Sequence, residues 1–182
     1  GMGNLWSVMS AIEYLGHKAK ISNNCKVISK SKLLILPGVG SFRMAMEKLK
    51  QKDLDQAIIE SVTDSETRLL GICLGMQLLG DSSDEDGFTK GLGLVKMKFE
   101  YFDEPDDKLN IKIPHVGFNT IKPSSGNGIF KGLENSPEFY FVHSYRALLD
   151  SPIGIYATCE YGVKFLAAFD NGNICGTQFH PE

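Results

Sequence analysis

No stretch of this chain stays apolar for the roughly 18 residues that a bilayer-spanning helix needs. Nor does it open with a basic segment followed by an apolar signal core. It therefore reads as soluble and cytoplasmic, with no membrane partner. Strong charge of one sign is missing too: a net charge of -3 over 182 residues offers no electrostatic footprint for nucleic acid. Cysteine is sparse and scattered. Cys25, Cys73, Cys159 and Cys175 form no C-x-x-C pair, which excludes the usual zinc ribbon and the small disulfide scaffold and makes reduced thiols the default. No metal and no cofactor is expected. Internal repeats and low-complexity linkers are absent, so nothing marks a second domain. What remains, 42% hydrophobic and 23% charged residues, suffices for one substantial core, and residues 1–182 read as one domain.

The first half alternates helix and strand signals. In NLWSVMSAIEYLG, Leu5, Val8, Met9, Ile12 and Leu15 share a helical face, with Asn4 as N-cap and Gly16 just past the end. A polar stretch leads to KLLILPGVGSF, whose apolar run Leu33 to Leu36 predicts a strand covered on both faces. Ser41 caps a helix using Phe42, Ala45, Met46 and Leu49, and a D-x-x-Q start at Asp53 predicts a second, opened by a capping box. Leu69, Leu70 and Ile72 make another short strand before LGMQLLG turns helical. The acidic run DSSDEDG, residues 81–87, lacks the ligand spacing of a calcium loop and reads as a solvated turn. Beyond it LGLVKMKF, EFYFVHSY, GIYATCEY, KFLAAFD and ICGTQFH are β-like runs between turn signals. The fold class expected is α/β: an open, mostly parallel central sheet with flanking helices and a strand-rich second half. The chain begins GMGN, inside what reads as a strand-to-helix turn, and stops after HPE. It is expected to lack a natural N-terminal strand and C-terminal segment.

The residue that needs explaining is Cys73, in RLLGICLGMQLLG. A free cysteine is by default a small buried hydrophobe. Here it stands at a strand-to-helix junction between Gly71 and Gly75, the device by which G-x-S-x-G hydrolases present a nucleophile above the sheet edge. Unpaired N–H groups at the helix start favour thiolate over thiol. The terminal QFHPE supplies a base and an orienter: His180 and Glu182, two apart, share a face on an extended strand. That is the nucleophile–base–orienter pattern of acyl transfer. The PGVG turn, residues 37–40, follows one strand as GICLG follows another. Both turns meet at one sheet edge, where the N–H groups of Val39 and Leu74 are candidates for an oxyanion hole. Among the other histidines, His17 reads as exposed, His115 as a hydrogen-bonded core or interface residue, and His143 as shaping the loop that follows it. Trp6 and the numerous Phe and Tyr residues are read as core or interface aromatics.

GICLGMQ and QFHPE together identify the chain as resembling the class I, triad-type glutamine amidotransferases. Through GMGNLWSV, LPGVGSF, IPHVGFN and FVHSY it is most similar, over essentially its whole length, to glutaminase subunits of imidazole glycerol phosphate synthases. The resemblance implies glutamine hydrolysis at Cys73 through a γ-glutamyl thioester. The ammonia would be channelled to a (β/α)8 cyclase/synthase subunit, its heterodimer partner, which makes imidazole glycerol phosphate in histidine biosynthesis. It also implies that Gly38, Val39 and Gly40 line the glutamine amide, that Gln77 and the Ser144–Tyr145 backbone hold its α-amino and carboxylate ends, and that Asn4 lies near the partner interface. Two departures matter. Phe118 stands where the family has tryptophan in a G-W-N motif, losing the indole donor at what the resemblance makes an interface position. Nothing follows Glu182, where the family continues with a basic loop. A homologous glutaminase serving a surface-sugar precursor synthase stays open, as do a non-catalytic regulatory subunit and a cysteine peptidase of related architecture.

Overall fold

The computed structural model describes residues 5–63, 67–102, 111–134, 136–148 and 154–182. Asn4, expected as a cap and interface residue, lies outside them. Helix α1 (Leu5–Tyr14) ends as its sequence predicts: Gly16 takes φ 79°, and the N–H of His17 reaches back to the Ile12 carbonyl at 3.0 Å. Its buried Val8, with Ile12 beside it, packs on Ile72 and Cys73. The polar stretch that follows holds an unforeseen helical turn, α2 (Cys25–Ile28), capped by the Asn24 side chain, which accepts from Lys26 N–H at 2.9 Å.

Strand β1 (Leu33–Gly38) runs parallel to β2 (Arg68–Cys73), with Gly38 opposite Cys73. Between them lie α3 (Phe42–Lys50) and α4 (Leu54–Thr63). Ser41 caps α3 as expected, accepting from Met44 N–H at 3.5 Å. Asp53 is not the capping-box residue its spacing suggested. Its φ of 53° is left-handed, whereas an N-cap is extended, and it serves to turn α3 sharply into α4. Nor is β1 covered on both faces. Among the described strands it lies at the end of the sheet; Leu34 and Leu36 pack on the core, while Leu33 and Ile35 are exposed, because α1 sits over β2 rather than β1.

After β2 comes α5 (Leu74–Leu78), only five residues long. LGLVKMKF explains the shortness. Its first residues do not enter the sheet; Leu92, Gly93 and Leu94 instead donate to the carbonyls of Leu78, Gly80 and Leu79 at 2.8–3.0 Å, satisfying the helix end. The remaining strands are β3 (Ser82–Ser83), β4 (Thr89–Lys90), β5 (Lys98–Tyr101), β6 (His115–Pro123), β7 (Glu138–His143), β8 (Tyr145–Ala147), β9 (Ile155–Tyr161), β10 (Val163–Asn171) and β11 (Ile174–Thr177). The main path runs β1-β2-β11-β10-β8-β5-β3-β4, with β9 pairing β10 and β6, and β6 pairing β7. The α/β class is borne out, with a strand-rich second half. Parallel order is concentrated in β1-β2-β11 and in β3–β5, and the other pairings are antiparallel.

Two cores result. Phe42, Met46, Ile58, Leu69, Met76 and Phe169 join the helices to one side of the sheet. Phe102, Ile121, Phe141, Phe165 and Phe179 fill the curl of the second half. A fully buried phenylalanine contributes about 1.5–3 kcal/mol relative to an exposed one, so this aromatic cluster is the main support beneath the strands that end at the site.

Candidate active site

Cys73 ends β2 in a conformation that L-residues avoid, φ 54° and ψ -113°. Such backbone costs on the order of 1–3 kcal/mol and persists only where its surroundings impose it. The neighbouring glycines show how they do. A Cβ on Gly71 would lie 2.7 Å from the Met76 amide nitrogen, and one on Gly75 would collide with the Leu36 carbonyl of β1. Strand, turn and helix approach too closely for any side chain at either place. The elbow read in G-x-C-x-G is therefore present. A five-residue helix has little macrodipole, so the electrostatic contribution to Cys73 comes from the N–H groups of its first turn.

His180 reaches this elbow through a single backbone bridge, donating its N–H to Tyr140 at 2.9 Å. The chain beyond is not strand. The pairing expected from strand parity is met all the same: His180 Nδ1 lies 3.0 Å from Glu182 Oε1, with side chains 15% and 8% exposed. The Cys73 sulfur and the Glu182 carboxylate raise the imidazole to a pKa of about 10, outweighing its partial burial. In turn His180 draws the Glu182 carboxyl below its usual value, against the desolvation that opposes it. Nε2 is buried and makes no hydrogen bond within geometric limits. Nε2 faces the Cys73 sulfur without a well-aligned bond, and both neighbours favour the imidazolium.

The substrate-side residues converge on one carbonyl. Gln77 Nε2 donates to the Tyr145 carbonyl at 3.4 Å and to Gln178 Oε1 at 3.0 Å, while Gln178 Nε2 lies 3.7 Å from Cys73 Sγ. Gln178, fully buried, is missing from the residues singled out in the sequence. Its signal was present, since it stands two before His180 in the same motif. Ser144 is tied down by Phe102, whose N–H donates to its carbonyl at 3.0 Å. The PGVG turn meets the elbow: a Cβ on Gly38 would touch the Leu74 side chain at 3.1 Å, Val39 is exposed, and Gly40 has φ 100°. This places the turn carrying Val39 beside the one carrying Leu74.

The acidic run is more than a solvated turn. Ser82 and Ser83 are buried in β3, Asp86 accepts from the Ser41 hydroxyl, and Glu85 accepts from Phe42 N–H, both at 2.7 Å. The open N–H groups of α3 recruit it. Burial raises the Glu85 carboxyl pKa despite that bond, and Glu85 and Asp86, after burial, also raise the Tyr145 phenol.

Phe118 projects from the outer face of β6, 73% exposed, its ring 5.5 Å from Tyr140, which in turn is 6.5 Å from His180. Val116 and Val142, paired across β6 and β7, extend this apolar face. Trp6 and His17 are exposed, whereas His115 and His143 are buried. No group of three His, Cys, Asp or Glu side chains able to hold a metal ion occurs among the described residues.

The sequence model of the family described as glutamine amidotransferase class-I matches residues 1–182. Among curated relatives, the imidazole glycerol phosphate synthase subunit HisH 1 of Parasynechococcus marenigrum is 40% identical, the alignment covering 100% of this chain and 87% of the relative. HisH 2 of Methanococcus maripaludis is 44% identical over 100% of this chain and 88% of its own length. A crystal structure of a glutamine amidotransferase shares the fold with a TM-score of 0.75 at 18% identity, over 99% of this chain and 86% of the other. The chain belongs to the class I glutamine amidotransferase family.

Proposed function

We propose that this protein is the glutaminase subunit of an imidazole glycerol phosphate synthase. The observation that carries the reading is the meeting of the strained Cys73 elbow with the His180–Glu182 pair at one edge of the sheet, in a chain 40–44% identical to HisH subunits. The Cys73 sulfur attacks the γ-carboxamide carbon of glutamine. The oxyanion is received by the N–H groups of Leu74 and Val39, and His180 gives its proton to the departing ammonia. Water, deprotonated by His180, then cleaves the γ-glutamyl thioester, releasing glutamate and restoring Cys73. Glu182 holds the imidazole in register throughout. Gly38 and Gly40 let the turn approach the amide. Gln77 and the Ser144–Tyr145 backbone receive the α end.

Ammonia is consumed by a synthase partner of (β/α)8 fold, docked on the face that carries Phe118, in the histidine pathway. No helix among the described residues is long and apolar enough to cross a membrane, in keeping with a cytoplasmic biosynthetic enzyme. The test is Cys73→Ser in the complex with the synthase subunit. Glutamine-dependent synthesis should fall by at least about 10³-fold while ammonia-dependent synthesis persists. Equal loss with both nitrogen sources would assign Cys73 a structural role and defeat the reading.

A further inference from the structure

Two imidazoles lie buried beside the site with no part in the chemistry above. His115 is 1% and His143 6% exposed, in a box of aromatic rings. Tyr161 and Phe141 stack on His115 with centroids 3.9 and 4.8 Å away, and Phe102 and Phe165 meet both rings. The polar contacts form a single line: Asn119 Nδ2 is 3.2 Å from His115 Nε2, His115 Nδ1 is 3.1 Å from His143 Nε2, and His143 Nδ1 is 2.8 Å from the Tyr145 carbonyl oxygen.

Donor and acceptor rules leave one reading of this line. A carbonyl oxygen only accepts, so the proton of His143 is on Nδ1 and its Nε2 is bare. His115 Nδ1 must then donate, which leaves its Nε2 bare and able to accept from the Asn119 amide. Every link then has one donor and one acceptor, with both rings neutral and both in the Nδ1–H tautomer. Burial favours the same state, holding His115 at a pKa of about 4 and His143 at about 3. Among the described residues, the ionisable groups near the pair are His180, Tyr161 of β9, and Arg146 of β8, whose guanidinium lies 5.7 Å over the Phe102 ring.

The line ends where it matters for binding. Besides His143, the Tyr145 carbonyl receives Gln77, which is itself bonded through Gln178 toward Cys73. We propose that Asn119, His115 and His143 form a one-way hydrogen-bond relay that orients the Tyr145 carbonyl, making the two histidines positioning residues for the α end of glutamine. The inference rests on the glutaminase reading. A carbonyl with two fixed donors cannot rotate, so the 144–145 segment is presented preformed instead of being ordered by each incoming substrate.

Two measurements test this. Nitrogen NMR on the full chain, with labelled histidine, should find His115 and His143 as neutral Nδ1–H tautomers from pH 6 to 8. An Nε2–H tautomer or an imidazolium at either ring overturns the relay, whether or not any variant folds. In the complex with the synthase subunit, His143→Ala should raise the KM for glutamine roughly three- to tenfold, the factor expected for one misplaced hydrogen bond, with kcat little changed. His143→Asn, whose amide can still donate near the Nδ1 position, should recover part of the loss. Alkylation of Cys73 by iodoacetamide, which has no α end, should proceed as in the wild type. An unchanged KM in His143→Ala beside an active wild type sinks the relay alone. A wild-type complex without glutaminase activity would instead sink the functional reading beneath it.

Discussion

At the scale of single residues, the histidines show one side chain used in opposite ways. His180 is held by a carboxylate and a sulfur, which raise its pKa. His115 and His143 see aromatic rings and neutral partners, which lower theirs. The signs of the resulting pH dependences differ. His180 contributes stability that is fully present below its unfolded pKa near 6.5 and is lost as pH rises toward about 10. His115 and His143 contribute stability present above 6.5 and lost as pH falls toward about 4 and 3, because only the unfolded chain takes up their protons in that window. Carboxylates with lowered values, such as Glu182, act only below about 4.5. Between pH 6.5 and 5 the melting temperature should therefore fall, and replacing both buried histidines with glutamine should flatten that slope. A wild-type Tm independent of pH over this interval would contradict the buried neutral assignment.

At the scale of elements, the elbow depends on how closely β1, β2 and α5 approach. Gly75→Ala forces a methyl into the Leu36 carbonyl, a backbone atom that cannot step aside, and should destabilise by about 2 kcal/mol or more. Gly126→Ala, with nothing within 4 Å, should stay within about 0.5 kcal/mol. Denaturant titration of the two variants decides the matter, since equal midpoints would mean that the elbow is looser than the geometry requires. The PGVG turn is the converse case. Val39 is exposed, and its glycine neighbours let its peptide rotate cheaply, so the turn can rest with one oxyanion donor averted until a partner binds. One missing donor costs about 10²–10³ in rate. Glutaminase activity of the isolated subunit should accordingly lie that far below that of the ligand-bound complex. Full activity alone would show the turn to be preset.

At the scale of the whole molecule, the β6–β7 ladder is two-faced: His115, Phe141 and His143 point into the core, while Val116, Phe118 and Val142 face outward. An outward apolar face beside the Cys73 sulfur suits the proposed partner, which would receive ammonia without its passing through bulk water. Phe118→Ala should weaken binding to an imidazole glycerol phosphate synthase barrel by about 2 kcal/mol, while Cys73 still reacts with a glutamine-shaped electrophile. Affinity measured side by side with a surface-sugar synthase barrel tests the pathway itself. Tight binding only to the latter would move the assignment and leave the glutaminase reading standing.

The strand-to-helix elbow at Cys73, the His180–Glu182 pair, the Gly16 stop of α1 and the cap of α3 were all legible in the sequence, because each depends on residues within a few positions of one another: a glycine flank, an i,i+2 spacing, a capping serine. What stayed hidden was set by contacts distant along the chain. Leu33 and Ile35 of β1 stayed exposed because α1 came down on β2. LGLVKMKF left the sheet because the end of α5 needed its N–H groups. The acidic run folded onto α3 for the same reason at the opposite end of a helix. Gln178 and the His115–His143 pair gained their partners 101–105 and 28 residues away. Local chemistry named the candidate reacting groups, and only tertiary packing decided which buried polar groups would satisfy one another, since hydrogen-bond saturation is a condition on the whole interior.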